Sequence, residues 1–333
     1  MLTNTKERII EYIAQHGQVR VNNLQKTLNI SHVAIHRHLK KMLSEGIVVR
    51  IGTPPLVFYK LAREEVTATI NTKEIPHAAR QIIENNFLMI SPEGRLLYGI
   101  EGFIYWMSIY QKNKPISLFA KEYETIWQEQ KKQFSSAGWI DATLKIKDSF
   151  KTAHINHLLF QDIYSYKIFG RTRLAKLVMH AKQTGERKLI DNISVMAKPI
   201  IEKIIKKYAI NAVAYIPPTV PRPVQFMEEF ALGLNLSLPE VKLIKVVSGD
   251  IIVAQKTLSN IDERIINARE TILLKNTTGP YYKNVLLIDD VVGSGASFNE
   301  TAEKLKNNNL GRDNIIAFAL VGNNKGYDVI REI

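Results

Sequence analysis

Apolar residues near the start of the chain recur at the three- and four-residue spacing of amphipathic helices. The pattern predicts a helix over residues 5–16, closed by Gly17, and a second short helix over residues 21–28. A third helix is predicted over residues 32–45, with Ser31 as its N-cap. Its apolar stripe consists of Ile35, Leu39, Met42 and Leu43.

Two β-like runs follow the third helix. Residues 47–51 (IVVRI) and 56–61 (LVFYKL) flank a Gly-Thr-Pro-Pro sequence that is typical of a turn. Three short helices and a hairpin resemble a winged helix-turn-helix, and the resemblance covers Met1 to Leu61. It implies that the third helix is a recognition helix and that the hairpin is the wing.

The face of the third helix opposite the apolar stripe is rich in hydrogen-bond donors. Residues 1–61 carry nine Lys or Arg against three Glu, a charge of +6. This favours binding to double-stranded DNA, and a homodimer is expected because such domains often bind paired half-sites. A role in protein contacts alone, or a merely solvated basic face, stays open. The candidate DNA-binding residues are His32, His36, Arg37, Lys40 and Lys41.

Residues 62–160 show mixed patterns and no catalytic motif. A turn at residues 91–94 separates two apolar stretches, and an amphipathic helix is predicted over residues 119–134. An aromatic cluster in the second stretch favours a core, with stacking of single-stranded bases as the alternative. Its members are Tyr98, Phe103, Tyr105 and Trp106.

The C-terminal half changes to an α/β pattern. Short apolar runs alternate with amphipathic stretches, which predicts a parallel sheet with crossover helices. Ligands in such folds bind at the carboxyl ends of the strands. The runs are residues 212–216, 241–247, 285–288 and 315–322, and the amphipathic stretches include residues 200–208 and 298–307.

One of these predicted strands is followed by two adjacent acids and a glycine-containing loop. The sequence VLLIDDVVGSGASFNETAEKLK runs from a hydrophobic strand into Asp289 and Asp290, then into a small-residue loop and a helix. Adjacent carboxylates can hold the hydroxyls of a ribose and Mg²⁺, while the loop and helix start can hold a phosphate. The candidate phosphate-binding residues are Gly293, Ser294, Gly295, Ala296 and Ser297.

This motif resembles the phosphoribosyl pyrophosphate signature of type I phosphoribosyltransferases. Gly293 stands where the family often has Thr. The blocks YSYKIFGRTRLAKLVMHAKQTGERKLI, IPPTVPRPVQFMEEFALGLNL and IIVAQKTLSNIDERIINARETI extend the resemblance to the ComF branch over residues 162–322. The cysteine-rich metal ribbon of that branch is absent, and Arg222-Pro223-Val224-Gln225-Phe226 replaces its usual Arg-Gly-Phe-Asn-Gln.

The resemblance implies roles for several further residues. Pro218, Thr219 and Arg222 would contact pyrophosphate, and Lys256 and Arg264 would belong to a mobile hood over the site. Asp289 and Asp290 would be the catalytic and metal-binding residues, with Mg²⁺ as the cofactor. A proline-stiffened turn and a solvated basic loop are the alternatives for these two segments.

Composition narrows the class of protein. The chain of 333 residues carries 45 Lys plus Arg against 32 Asp plus Glu, a formal charge of +13, which favours polyanionic or phosphorylated partners. The absence of cysteine excludes disulfides and thiolate catalysis. Glu7 and Glu11 interrupt the apolar run that a signal peptide needs, so a cytoplasmic location without membrane contact is expected.

These observations predict three parts: a winged helix-turn-helix domain at residues 1–61, an accessory segment at residues 62–160, and a phosphoribosyltransferase-like α/β domain at residues 161–333. The first functional hypothesis is a transcriptional regulator that binds phosphoribosyl pyrophosphate or a nucleotide. The second is an active phosphoribosyltransferase that releases pyrophosphate. The third is a non-catalytic protein that acts on DNA during uptake or repair.

Overall fold

The computed structural model describes residues 5–62, 72–247, 249–276 and 280–323, with the exception of the Lys256 side chain. The chain divides into two compact units, residues 1–71 with 108–113 and residues 72–107 with 114–333. Within the described ranges, every helix is too short or too polar to span a bilayer.

The first unit is a three-helix domain with a hairpin. Its elements are α1 (Thr5–His16), α2 (Val21–Leu28), α3 (His32–Ser44), β1 (Val48–Ile51) and β2 (Phe58–Leu61). The Ser31 hydroxyl accepts a hydrogen bond from the Ala34 N–H at 3.3 Å, which confirms the predicted cap of α3. Strands β1 and β2 pair in antiparallel register. A single apolar core joins all five elements, and its members include Ile9, Ile13, Leu24, Ile35, Leu39 and Tyr59.

The predicted apolar stripe of α3 needs one correction. Ile35, Leu39 and Met42 are buried, whereas Leu43 is 36% exposed. Successive residues on a helix differ by about 100° in direction, so Met42 and Leu43 cannot both point at the same core. The stripe therefore ends at Met42.

The second unit begins with an aromatic subdomain. Its elements are α4 (His77–Asn86), β3 (Leu88–Ile90), β4 (Leu96–Tyr98), α5 (Gly99–Tyr110, of which residues 99–107 belong to this unit) and α6 (Ile116–Lys131). Phe103 and Trp106 are buried and pack with Phe87, Tyr123 and Phe169 at ring-centroid distances of 4.9–6.4 Å. The core interpretation is thus confirmed for these two residues, while Tyr98 is 38% exposed and lies under the Arg173 guanidinium.

The rest of the second unit is an α/β domain. Its elements are β5 (Ile140–Asp141), α7 (Thr143–Ser149), β6 (His157–Ile163), α8 (Arg173–Thr184), α9 (Arg187–Lys207), β7 (Ala212–Tyr215), α10 (Phe226–Leu234), β8 (Leu243–Lys245), α11 (Ile261–Thr271), β9 (Ile272–Leu274), β10 (Tyr282–Val292), α12 (Ala296–Asn307) and β11 (Leu310–Gly322).

Five of these strands form one central sheet in the order β5-β6-β11-β10-β7. All neighbours are parallel except the edge strand β5, so the predicted α/β class is confirmed at this level. The sheet takes β5 and β6 from residues 140–163 and therefore extends across the predicted boundary at residue 160. One large core joins the sheet to helices α8, α9 and α10.

The apolar run at residues 241–247 was assigned to the parallel sheet, and this is confirmed only at its start, where the Val241 N–H donates to the Val213 carbonyl of β7 at 2.8 Å beside a parallel bridge between Val213 and Glu240. Its strand β8 pairs in antiparallel register with β9, in a separate two-stranded sheet. Ile244 and Val247 are 37% and 56% exposed, so this run lacks the two covered faces of a central parallel strand. Apolar content alone did not distinguish the two environments.

Candidate functional site

The two acids lie near the carboxyl end of a central strand of the sheet. Strand β10 lies between β7 and β11, and its residues 285–288 are completely buried. Asp289 and Asp290 follow this run directly, toward the carboxyl end of the strand. Proteins with open parallel sheets bind their ligands just beyond the carboxyl ends of the strands.

Asp290 is buried, Asp289 is half-buried, and the pair has a cationic partner. The Asp290 side chain is 7% exposed and forms an ion pair with the Lys182 ammonium, which comes from α8. The Asp289 carboxylate accepts a hydrogen bond from the Asp290 N–H at 2.8 Å. Burial, followed by the charge of Asp290, raises the pKa of Asp289. Burial opposes the charge of Lys182, but the two carboxylates outweigh it and the pKa of Lys182 is raised.

The loop after the acids requires glycine at Gly295. This residue has φ = +84° immediately before α12, and a Cβ there would overlap the Ile146 side chain. The Ser294 hydroxyl accepts a hydrogen bond from the Ala296 N–H at 3.3 Å. The loop therefore leads directly into a helix N-terminus, where backbone N–H groups favour a phosphate.

Helix α7 supports this loop from the side of β6. Lys145 donates hydrogen bonds to the carbonyls of Gly293 at 3.0 Å and Asn323 at 2.6 Å, while Ile146 lies against Gly295. Sequence reasoning missed α7 because it lies in the segment without a motif, and 148 residues separate Lys145 from Gly293. No local signal links the two.

Two other predicted segments face the loop across one cleft of about 790 Å³. Arg264 donates from its guanidinium to the Leu258 carbonyl at 3.0 and 3.2 Å, and its Nη1 lies 3.5 Å from where a Cβ of Gly293 would be. The predicted residues that line the cleft are Asp289, Asp290, Gly293, Ser294, Gly295, Ala296, Ser297, Pro218, Thr219, Arg222 and Arg264. Lys256 lies in a turn of 3₁₀ helix at the cleft, with a side chain outside the described part of the structure.

Two lysines that were not assigned to the site also line the cleft, Lys182 and Lys245. Lys245 donates a hydrogen bond to the Asn267 side chain at 3.1 Å, and burial lowers its pKa to about 8. Arg171 donates a hydrogen bond to the Tyr164 hydroxyl at 2.8 Å, and Arg173 donates one to the Asn85 carbonyl at 3.0 Å.

The segment at residues 254–274, for which the family resemblance implies a hood, is anchored to α12. Arg269 on α11 forms an ion pair of 2.9 Å with Glu300, a residue of α12 that is 3% exposed. Lys304 of α12 also donates to the Arg269 and Ile272 carbonyls. These contacts attach residues 269–272 of the hood segment to α12, the helix that begins directly after Gly295.

The candidate DNA-binding residues lie on the solvent-exposed part of α3. All five are exposed and none belongs to the buried stripe: His32, His36, Arg37, Lys40 and Lys41. Glu45, at the end of the helix, pairs with Lys6 at 2.7 Å and with Lys41 at 3.9 Å. The His32 and His36 rings lie 4.6 Å apart, and among the described residues no group of three possible side-chain ligands could hold a metal ion.

Comparison with known proteins identifies one domain. Residues 6–52 match the DeoR-like helix-turn-helix domain, a range that covers α2, α3, β1 and all of α1 except its first residue. The N-terminal domain is therefore a helix-turn-helix, the class in which a recognition helix binds the DNA major groove. No curated protein matches the chain.

Among solved structures, a hypoxanthine phosphoribosyltransferase from Staphylococcus aureus shows a distant similarity, with 16% identity and a TM-score of 0.25. The matched region covers 41% of this chain and 64% of that enzyme's chain. This similarity is too weak to bear on the fold or the activity.

Proposed function

We propose that this protein is a DNA-binding transcriptional regulator whose α/β domain binds phosphoribosyl pyrophosphate or a related nucleotide. The observation that carries the proposal is the cleft, in which the Asp289–Asp290 pair, a glycine loop before a helix and basic side chains meet at the end of β10. The same chain carries an exposed basic helix in a DeoR-like domain. The α/β domain would then be of the type I phosphoribosyltransferase fold, in its ComF-like branch.

Each part of a phosphoribosyl ligand has a chemical counterpart in the cleft. Carboxylates accept hydrogen bonds from ribose hydroxyls, so Asp289 and Asp290 would hold the sugar. The backbone N–H groups between Gly293 and Ser297 would hold the 5-phosphate. The turn at Pro218 and Thr219, with Arg222, would bind the diphosphate, because guanidinium groups bind phosphate oxygens strongly.

The donor set also fits Mg²⁺. This ion prefers oxygen ligands and is commonly bound through one or two carboxylates together with substrate phosphates. Asp289 and Asp290 would supply the protein oxygens, and the ion would offset the charge of the bound diphosphate. The ion would therefore bind together with the ligand.

A calorimetric titration tests the ligand part of the proposal. Phosphoribosyl pyrophosphate is titrated, with and without Mg²⁺, into the wild type and an Asp289→Asn/Asp290→Asn variant. We expect binding that is stronger with Mg²⁺ and lost in the variant. A folded wild type that does not bind the ligand under either condition would contradict the proposal.

A DNA-binding assay tests regulation. The proposed regulator binds duplex DNA as a dimer on paired half-sites, and ligand changes its affinity through thermodynamic linkage. We expect sequence-preferring, salt-sensitive binding to duplex fragments that shifts when phosphoribosyl pyrophosphate is added. A preference for single strands with no response to the ligand would instead favour a role in DNA uptake or repair.

A second candidate function is an active phosphoribosyltransferase, and Lys245 favours it. A general base works best when its pKa lies near the working pH, and Lys245, with a pKa of about 8, lines the cleft. In this reaction an amine or base attacks the anomeric carbon of phosphoribosyl pyrophosphate and the bond to pyrophosphate breaks. Release of pyrophosphate on addition of nucleobases, lost in Asp290→Asn, would establish it.

A further inference from the structure

Lys182 is the one cation in the described part of the cleft that forms an ion pair with the acid pair. It lies near the end of α8, and its ammonium contacts Asp290 directly. Arg222, on the predicted pyrophosphate side, is close enough to act on the charge of Lys182. Lys182 therefore interacts both with an acid that would hold the ribose and with the arginine that would bind the diphosphate.

The two partners of this ion pair differ in accessibility. The Lys182 side chain is 42% exposed, whereas that of Asp290 is 7% exposed. Lysine carries a flexible four-carbon stem and three rotatable donors, so its ammonium can exchange one anion for another with little change in the backbone. Asp290 is held at the end of a buried strand and has no comparable freedom.

A phosphoribosyl ligand brings competitors for both partners. Its ribose hydroxyls donate hydrogen bonds to carboxylates, and its diphosphate attracts ammonium groups. Separation of the ion pair without replacement would leave a buried carboxylate unpaired, which is costly. A ligand that offers hydroxyls and a diphosphate together replaces both contacts.

We propose that Lys182 is a specificity-determining residue that recognises the diphosphate of a phosphoribosyl ligand, an assignment that rests on the proposed function. In the ligand-free protein its ammonium neutralises Asp290. When the ligand binds, the ribose takes the carboxylate and the ammonium turns to the diphosphate beside Pro218 and Thr219. Lys182 thereby favours phosphoribosyl pyrophosphate over ribose 5-phosphate, which lacks the second anion.

The test compares these two compounds on the Lys182→Met variant. Both are titrated calorimetrically, with Mg²⁺ present, into the wild type, Lys182→Met and the control Lys188→Met, which removes an exposed lysine of α9. We expect Lys182→Met to weaken phosphoribosyl pyrophosphate binding about tenfold to a hundredfold, the usual range for a hydrogen bond to a charged group. Ribose 5-phosphate binding should change by less than about threefold, and Lys188→Met should change neither.

The outcomes separate this proposal from the proposed function. Equal weakening of both compounds, or no weakening of either, would overturn the role of Lys182 while the cleft remains a phosphoribosyl site. A wild type that binds neither compound would overturn both. If Lys182→Met does not fold, as judged by thermal unfolding, Lys182→Gln provides the same comparison because it retains a donor to Asp290 without the charge.

Discussion

The two candidate sites of this protein are built in opposite ways. The DNA-binding face comes from one helix, α3, whose periodicity places donors outside and Ile35, Leu39 and Met42 inside. The cleft takes side chains from α8, the turn after β7, the hood segment, β10 and its loop, with α7 as support. A local pattern therefore describes the first site, and only long-range contacts assemble the second.

The charged groups of the two sites also differ in how strongly each one interacts with its surroundings. Solvent and salt screen the exposed cations of α3, so each contributes little alone and the face acts through their number. In the cleft, burial raises the pKa of Asp289. The largely buried Asp290 side chain forms an ion pair with Lys182. Changes in the cleft should therefore have larger individual effects than changes on the helix face.

The largest expected effect is a loss of stability of the DNA-binding unit when its core is changed. Leu39 is 1% exposed, so Leu39→Ala should lower the free energy of unfolding of this unit by about 2–5 kcal/mol. Leu43→Ala, on the exposed side of the same helix, should change it by less than about 0.5 kcal/mol. Chemical denaturation followed by circular dichroism measures both. Similar losses in the two variants would contradict the burial pattern of α3.

A smaller loss of stability is expected when the loop of the cleft is changed at Gly295. Gly295→Ala forces a left-handed residue against Ile146 and should cost about 1–3 kcal/mol of stability, with loss of phosphoribosyl pyrophosphate binding. The matched control is Gly249→Ala, where an added Cβ meets nothing within 4 Å. Denaturation and calorimetry measure the two consequences. Unchanged ligand binding in Gly295→Ala would show that the loop does not hold the phosphate.

On the helix face, the expected effect concerns salt dependence. Arg37→Ala/Lys40→Ala should weaken duplex binding across sequences and reduce the slope of log affinity against log salt by about 2, or about 0.9 for each lost phosphate contact. Fluorescence anisotropy at several salt concentrations gives the slope. Lys203→Ala, which removes an exposed lysine of α9, is the control. An unchanged slope in the double variant would remove α3 from the DNA interface.

The smallest expected effect is a change in how the stability of the protein depends on pH. The pKa of Lys245 is about 8 in the folded protein against 10.5 ordinarily, so between these values the unfolded chain binds more protons. Stability should therefore rise with pH from about 8 to about 10, relative to Lys245→Met, which lacks this group. Denaturation at several pH values measures the difference. A parallel pH dependence in the two proteins would place Lys245 in ordinary solvent.

Prediction from sequence succeeded where one element carries both the pattern and the chemistry. The Ser31 cap, the bounds of α1 and α2, and the strand that precedes Asp289 all follow from local periodicity and capping. It failed where burial decides between similar patterns, as for Leu43 and for the run around Ile244. It also gave no signal for the ion pair between Lys182 and Asp290, because these two residues lie far apart along the chain.

The sequence by itself determined the basic face of α3, the acid pair and the glycine loop, because each is a short run whose geometry follows from one helix or one strand end. Only the tertiary structure placed Lys182 on Asp290, Lys145 on the Gly293 carbonyl and Arg264 beside the loop. The physical reason is that hydrogen bonds and ion pairs form between atoms a few ångströms apart. Sequence spacing sets those distances within one element, whereas packing of the sheet and its helices sets them between elements.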